Sequence, residues 1–467
     1  VGLCALLVSG LAAQAKADEQ RLTLTPSVSA SQNFDRTDVG SAEATDAAGN
    51  VVSVPGGEEN NGFFELIPAF RARAERPGTR LDLDVSSRFR SSSAGSARSE
   101  LRGLDETGKI ALTQNFGPRF VAFANGSFRN RDSQDPLDRD DAVEIQNDRP
   151  DLHEVSGDFT VAYSVTATSQ VSLGYSAFAR DYQGGVSRSN GNRDVDIGAW
   201  NVGYSKALTP LDRIGLSFSY QNLRFGTINT LLLNGRTART DVQDDQIFSV
   251  FANWTRSISP MWTANLTAGV RRLETDGGGF RGFDSPIGDA APDESSTGFI
   301  GSLSFERETE WNRTVLGYRR ETRPSGGVGT SLDVDSFELS FTQQLLRNLS
   351  LKLRGDYQIS KSATDAFVLQ PAFLVGGLGG LQPGCLGDGA LGTLDGVFTC
   401  VAQASNSVDT DVLRLGAELT WRWTRGFVTF LSYDFRDQDV EGIIGGRDRD
   451  SSRVRLGFRY AYDYEVY

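Results

Sequence analysis

The sequence predicts an all-β fold: a transmembrane, antiparallel, up-and-down β-barrel of about eighteen strands, with sixteen as the alternative. Three observations predict it. Apolar and polar residues alternate with period two along most of the chain. The connections between these segments are by turns short and long. Tryptophans gather near the short connections.

Composition removes the competitors. A chain of 467 residues would ordinarily suggest about three soluble domains. Only 39% of the residues are hydrophobic, yet there are 28 Phe and 12 Tyr to be placed, and 51 Gly. The balance of 47 basic and 60 acidic residues, net −13, disfavours a nucleic-acid partner, which needs a basic face. A single histidine makes a His-rich metal site impossible and leaves any Ser-His-Asp triad dependent on His153.

From the N-terminus, Val1–Ala15 are apolar and small, and Ala15-Lys16-Ala17 is a small-x-small cleavage pattern. This reads as a signal peptide over 1–17, with the barrel over 18–467. The run is too short for a transmembrane helix, which needs ~20 apolar residues. There is no basic n-region, and Cys4 lies too far forward for a lipid anchor.

The alternation then predicts strands near 20–34, 62–74, 79–90, 106–117, 118–130, 152–167, 169–182, 193–206, 212–226, 242–257, 261–273, 296–309, 311–322, 333–346, 349–360, 409–424, 425–436 and 452–466. The last is the clearest. Val454, Leu456, Phe458, Tyr460, Tyr462, Tyr464 and Val466 occupy successive alternate positions. The 118–130 strand has mixed phase, with Phe120 and Phe128 on one face and Val121 and Phe123 on the other.

Short connections fall at Pro77-Gly78, Gly117-Pro118, Thr168, Thr209-Pro210, Ser259-Pro260, Thr309-Glu310, Arg347-Asn348 and Arg425-Gly426. Long ones fall near 35–61, 91–105, 131–151, 183–192, 227–241, 274–295, 323–332, 361–408 and 437–451. Outer-membrane barrels have this asymmetry, with short periplasmic turns and long extracellular loops. Trp254, Trp262, Trp311, Trp421 and Trp423 lie near short turns, as one interfacial girdle would; Trp200 is the exception. The expected location is the outer membrane of a Gram-negative cell.

A barrel of this size has a backbone diameter of about 36 Å, too wide for side chains to fill. The polar phase then supplies the lumen wall: Arg71, Arg73, Arg88, Arg90, Arg271, Arg319, Arg354, Arg414, Arg422, Arg455 and Arg459, with Asp84, Asp158, Asp356 and Glu418. Charges pairing across neighbouring strands would account for the same residues without any ligand contact.

Cys385 and Cys400 lie in the longest loop, and an oxidising compartment favours a disulfide between them. Closing a loop of about 15 residues contributes ~3 kcal/mol by chain entropy. The same loop carries the apolar, Gly-rich run Phe373–Leu381, expected to fold over or into the lumen as a constriction or to form a compact surface loop. Loop 131–151 is densely acidic but lacks EF-hand spacing, so a solvated surface loop is the simpler reading. No GxxxxGKS/T, HExxH or GxSxG motif is present. No enzyme activity, metal or cofactor is expected.

The phrases Val171–Tyr182, Leu216–Tyr220 and Val428–Asp437 resemble the beta-barrel porin 2 family of bacterial outer-membrane proteins. That resemblance implies an exit pore for a secreted exopolysaccharide, working with a periplasmic export protein. It transfers no catalytic residue. One departure is the C-terminus, where Tyr467 is aromatic but the apolar phase runs through Val466. The expected partners are outer-membrane lipid and lipopolysaccharide, a polysaccharide chain and the export protein. The alternatives are a diffusion porin for small polar solutes and a structural or adhesive surface barrel.

Overall fold

A computed structural model describes residues 21–39, 42–45, 51–54, 57–92, 103–131, 151–183, 194–226, 229–231, 237–240, 243–276, 280–281, 294–325, 330–362, 367–371, 391–394, 397–405, 409–441 and 449–466. The expected signal segment 1–17, loop residues 132–150 and the run Phe373–Leu381 fall outside them, as do Cys385 and the side chain of Cys400.

Eighteen long strands form one antiparallel sheet. They are β1 Arg21–Val39, β2 Gly57–Arg76, β3 Thr79–Ser92, β4 Gly103–Asn115, β5 Phe120–Arg131 and β6 Asp151–Ser164. Then come β7 Ser169–Gln183, β8 Val195–Ala207, β9 Asp212–Phe225, β10 Gln243–Ser259, β11 Trp262–Asp276 and β12 Glu294–Glu308. The last six are β13 Asn312–Ser325, β14 Thr330–Leu346, β15 Leu349–Ser362, β16 Asp409–Arg422, β17 Phe427–Glu441 and β18 Arg449–Ala461. Every strand pairs with its sequence neighbours. The sheet closes where β1 meets β18, from Ser27↔Ala461 to Val39↔Arg449, and Tyr464–Val466 continues that seam against Leu22–Leu24.

Several strands run further toward the loop end than the hydrophobic alternation indicates: β2 begins at Gly57 and β17 ends at Glu441. The added residues, such as Glu58, Asn60 and Asp437, are polar, so the period-two signal lapses there while main-chain pairing continues. The connection expected at 323–332 is correspondingly short, since β13 reaches Ser325 and β14 starts at Thr330. Smaller antiparallel pairings lie in the other loops, including Ala42–Thr45 with Val51–Val54 and Phe367–Pro371 with Val397–Ser405.

At the turn end, Pro77-Gly78 joins β2 to β3 with Gly78 at φ 81°, a conformation that costs a residue with a Cβ. Bulges at Ser257/Ser259 and Gln344/Leu346 stand beside two other turns.

The alternation sorts the side chains as a barrel requires. Large apolar residues point outward and are exposed, among them Leu216 (57%), Val270 (64%) and Leu456 (61%). On β16 this face runs from Leu413 through Leu415, Leu419 and Trp421 to Trp423 just beyond the strand. At about 3.3 Å per residue and a tilt of ~40° that is a height of roughly 25 Å, matching the lipid-facing band of outer-membrane barrels. A continuous apolar exterior of this extent is untenable in water. A closed ladder leaves no backbone edge unsatisfied in lipid. The chain is therefore an outer-membrane β-barrel.

Two aromatic girdles bound the band. Trp262, Trp311, Trp421 and Trp423 are exposed at the turn end, with Trp421 and Trp423 stacked at 4.7 Å. Trp200 belongs to a second row toward the loops, in register as Phe159, Tyr175, Trp200, Tyr220 and Phe248. Ring centroids there lie 4.7 Å (Tyr175–Trp200) and 4.9 Å (Tyr220–Phe248) apart. In the mixed-phase strand, Phe128 points outward and Phe123 faces the lumen.

Candidate functional site: the lumen and its constriction

The face opposite the lipid band lines the lumen. Cross-strand register places Arg71, Arg73, Arg88, Arg90, Arg271, Arg319, Arg354, Arg414, Arg422, Arg455, Arg459, Asp84, Asp158, Asp356 and Glu418 on this face. Most are brought together in cross-strand pairs rather than in one cluster. Arg71 meets Asp84 at 2.7 Å, Arg73 meets Asp82 at 2.6 Å, and Arg455 meets Asp434 at 2.9 Å. Arg414 lies 3.8 Å from Asp356, and Asn125 donates to Asp158 at 2.8 Å. His153 stands on the outer face, in register with Asn130 and Asp181.

The lumen has two zones. In the turn-side half the charged side chains are wet: Arg71 is 60% exposed. In the loop-side half, side chains on the same face are buried. Arg90, at 2% side-chain exposure, and Arg88 both lie 3.3 Å from Glu65, and both lie 3.9 Å from Asp105. Glu154 takes Arg180 at 2.7 Å and Arg129 at 3.7 Å. Asp35 accepts two hydrogen bonds from Arg453. Phe63 is stacked by both Arg90 and Arg453, at 5.6 and 5.2 Å. Glu65, Asp105, Glu154, Arg180, Asp35 and Arg453 escape a sequence reading built on apolar alternation, because each lies near a strand's loop end where that alternation fades. Their shared phase with the named arginines is the signal that could have found them.

Beside this charged tier lies an apolar one. Val195, Leu223, Phe225, Ile247 and Leu273, on the lumen face of β8–β11, form a buried cluster against which Ile197 packs. A second cluster joins Leu332, Val334 and Val412.

The constriction comes from the β13–β14 hairpin. The β12–β13 ladder stops at Gly301↔Arg320, so Glu294–Ile300 and Glu321–Ser325 do not pair with each other. Beyond that point the hairpin leans inward. Ser331 Oγ donates to Asp245 Oδ2 at 2.5 Å. Arg271 Nη2 donates to Asp333 Oδ1 at 2.6 Å, and Thr322 donates to the same oxygen at 2.8 Å. Asp245 and Arg271 face the lumen from β10 and β11, whereas Ser331 and Asp333 share the phase of the outward-facing Phe337 and Leu339. The outward face of the hairpin thus packs on the inner face of the wall. Ser331 and Asp245 are fully buried and Arg271 nearly so. The apolar run of the 361–408 loop, for which the sequence leaves open a constriction or a compact surface loop, lies outside the described residues. Among the described residues it is the β13–β14 hairpin that narrows the mouth.

No family model matches the chain, and no curated protein matches it. Solved structures similar to it include the FrpB iron transporter from Neisseria meningitidis, with 8% identity, TM-score 0.44, and coverage of 96% of this chain and 82% of that one. The ferric-catecholate import receptor Fiu from E. coli K12 is similar at 11% identity and TM-score 0.41, with 96% and 82% covered. Pseudomonas aeruginosa OpdK with vanillate is similar at 11% identity and TM-score 0.40, with 95% and 99% covered. By its own geometry the chain is an outer-membrane β-barrel with the architecture of a channel.

Proposed function

We propose that the barrel is an exit pore for a secreted exopolysaccharide, working with a periplasmic export protein. The observation that carries this reading is the chemistry of the lumen face. Serine, threonine and asparagine hydroxyl and amide groups alternate there with charges that are largely paired, as in Asn253–Ser217, Thr267–Asn253 and Arg71–Asp84. Such a wall offers many hydrogen bonds without a strong field of one sign, which suits a hydroxyl-rich polymer better than a small ion. Phe123, Phe251 and Phe430 also face this side, where the C–H faces of sugar rings could pack. The family resemblance of the strand phrases points the same way. Deleting the chain should abolish surface polysaccharide while small-solute uptake stays unchanged; unaltered surface polysaccharide would sink the proposal.

The inward hairpin favours a second reading, a diffusion porin for small polar solutes, because a narrowed mouth sets a size limit. Liposome swelling with sugars of graded size separates the two. A diffusion porin admits mono- and disaccharides rapidly with no partner present.

A further inference from the structure

The lipid-facing wall is hollowed across β12–β16. A groove of about 410 Å³ runs there between two registered rows of outward side chains. The loop-side row includes Tyr318, Phe337 and Tyr357, with ring centroids 5.0 and 6.5 Å apart. The turn-side row includes Leu316, Leu339 and Gly355. Gly355 opens the depression. A Cβ there would sit 3.6 Å from Leu415 and 3.9 Å from Leu339, ordinary contact distances, so a side chain is tolerated at this position and a larger one would take up part of the groove.

The groove ends at a polar rim on its loop side. Tyr318 donates its hydroxyl to Asp335 at 2.6 Å, and Arg320 lies 3.3 Å from the same carboxylate. Tyr357 donates to Asp411 at 3.1 Å. One tier higher, Lys361 stands in register with Asp409. It is exposed and forms no ion pair among the described residues. From Tyr357 to Lys361 the strand runs about 13 Å, a height of roughly 10 Å at a tilt of ~40°. The surface thus offers an apolar slot, a row of carboxylate acceptors and an exposed ammonium, in that order, toward the cell exterior.

We propose that this face binds one molecule of lipopolysaccharide, with an acyl chain in the groove and a headgroup phosphate at Lys361. The outer-membrane location puts lipid against the groove whatever the lumen carries. Two features favour a phosphorylated glycolipid over a phospholipid. The slot lies in the loop-side half of the band, level with the outer leaflet. The carboxylates of Asp335, Asp409 and Asp411 can accept hydrogen bonds from sugar hydroxyls, which a simple phosphodiester headgroup supplies sparsely. At the edge of the low-dielectric band an ammonium–phosphate contact is also stronger than in water.

The test is native mass spectrometry of the delipidated full-length protein in detergent, after incubation with lipopolysaccharide or with phosphatidylglycerol. Wild type should retain one lipopolysaccharide and little phosphatidylglycerol. Gly355→Leu should lower that retention at least tenfold and Lys361→Glu severalfold. Ala252→Leu adds comparable bulk to the lipid face outside the groove and should change nothing. Heat-modifiable gel mobility checks that each variant folds. Should Gly355→Leu fail to fold, the exposed Lys361→Glu decides. Wild-type retention in the groove and rim variants, or equal retention of phosphatidylglycerol, would overturn the proposal.

Discussion

Arg271 and Asp333 join two layers of the same wall. The guanidinium projects from the inner face of β11, and the carboxylate, 2.6 Å away, sits on the hairpin that leans over that face. Removing one partner of a buried pair costs about 3–5 kcal/mol, because the other charge is stranded. Arg271→Met should therefore release the hairpin and raise single-channel conductance at least about twofold, with gel mobility still heat-modifiable. Unchanged conductance would mean that the hairpin does not set the bore.

Asp35 and Arg453 fasten the place where the last strand meets the first. Arg453 is two-pronged on Asp35, at 2.6 Å twice, and nearly buried. Arg453→Met keeps packing against Phe63 but removes both of these donors from the nearly buried carboxylate, so a loss of roughly 3 kcal/mol is expected. It should appear as a lower urea midpoint in refolding from lipid vesicles.

The face assignment has its own test. Leu216 lies in the middle of the lipid band, and Leu216→Arg should cost about 2–4 kcal/mol. Ser205 faces the open part of the lumen, and Ser205→Arg should stay within roughly 0.5 kcal/mol. Equal losses at the two sites would contradict the register.

Arg71 and Asp84 are paired but wet, at 60% and 40% exposure. Exposed pairs contribute ~0–1 kcal/mol. Asp84→Arg should leave the unfolding midpoint nearly unchanged while moving the reversal potential in a salt gradient toward anion preference. A stability loss without a change in selectivity would place the pair outside the conduction path.

The strands and their faces were legible because a membrane barrel repeats one rule, apolar outward and polar inward, at nearly every position. Val454, Leu456, Phe458 and Tyr460 announce β18 without help from the rest of the chain. The rule carries no information once a strand rises above lipid. Asp35 and Asp105 then look like loop charges although they are paired inside the barrel. The inward lean of the β13–β14 hairpin was invisible for another reason. Ser331 and Asp333 have the phase of outward residues, and only tertiary placement sets that face against Asp245 and Arg271. Trp200 looked anomalous only while a single girdle was expected.

The apolar belt, fixed at roughly 25 Å between its aromatic rows, also acts as an address. A lone helix can tilt to suit a thicker bilayer, but a closed ladder of eighteen strands cannot easily stretch its apolar height. The surrounding lipid must thin to meet it, at fractions of a kcal/mol per ångström. Bacterial outer membranes are thinner than average. The same wall that bounds the conduit would thus penalise residence in any thicker membrane.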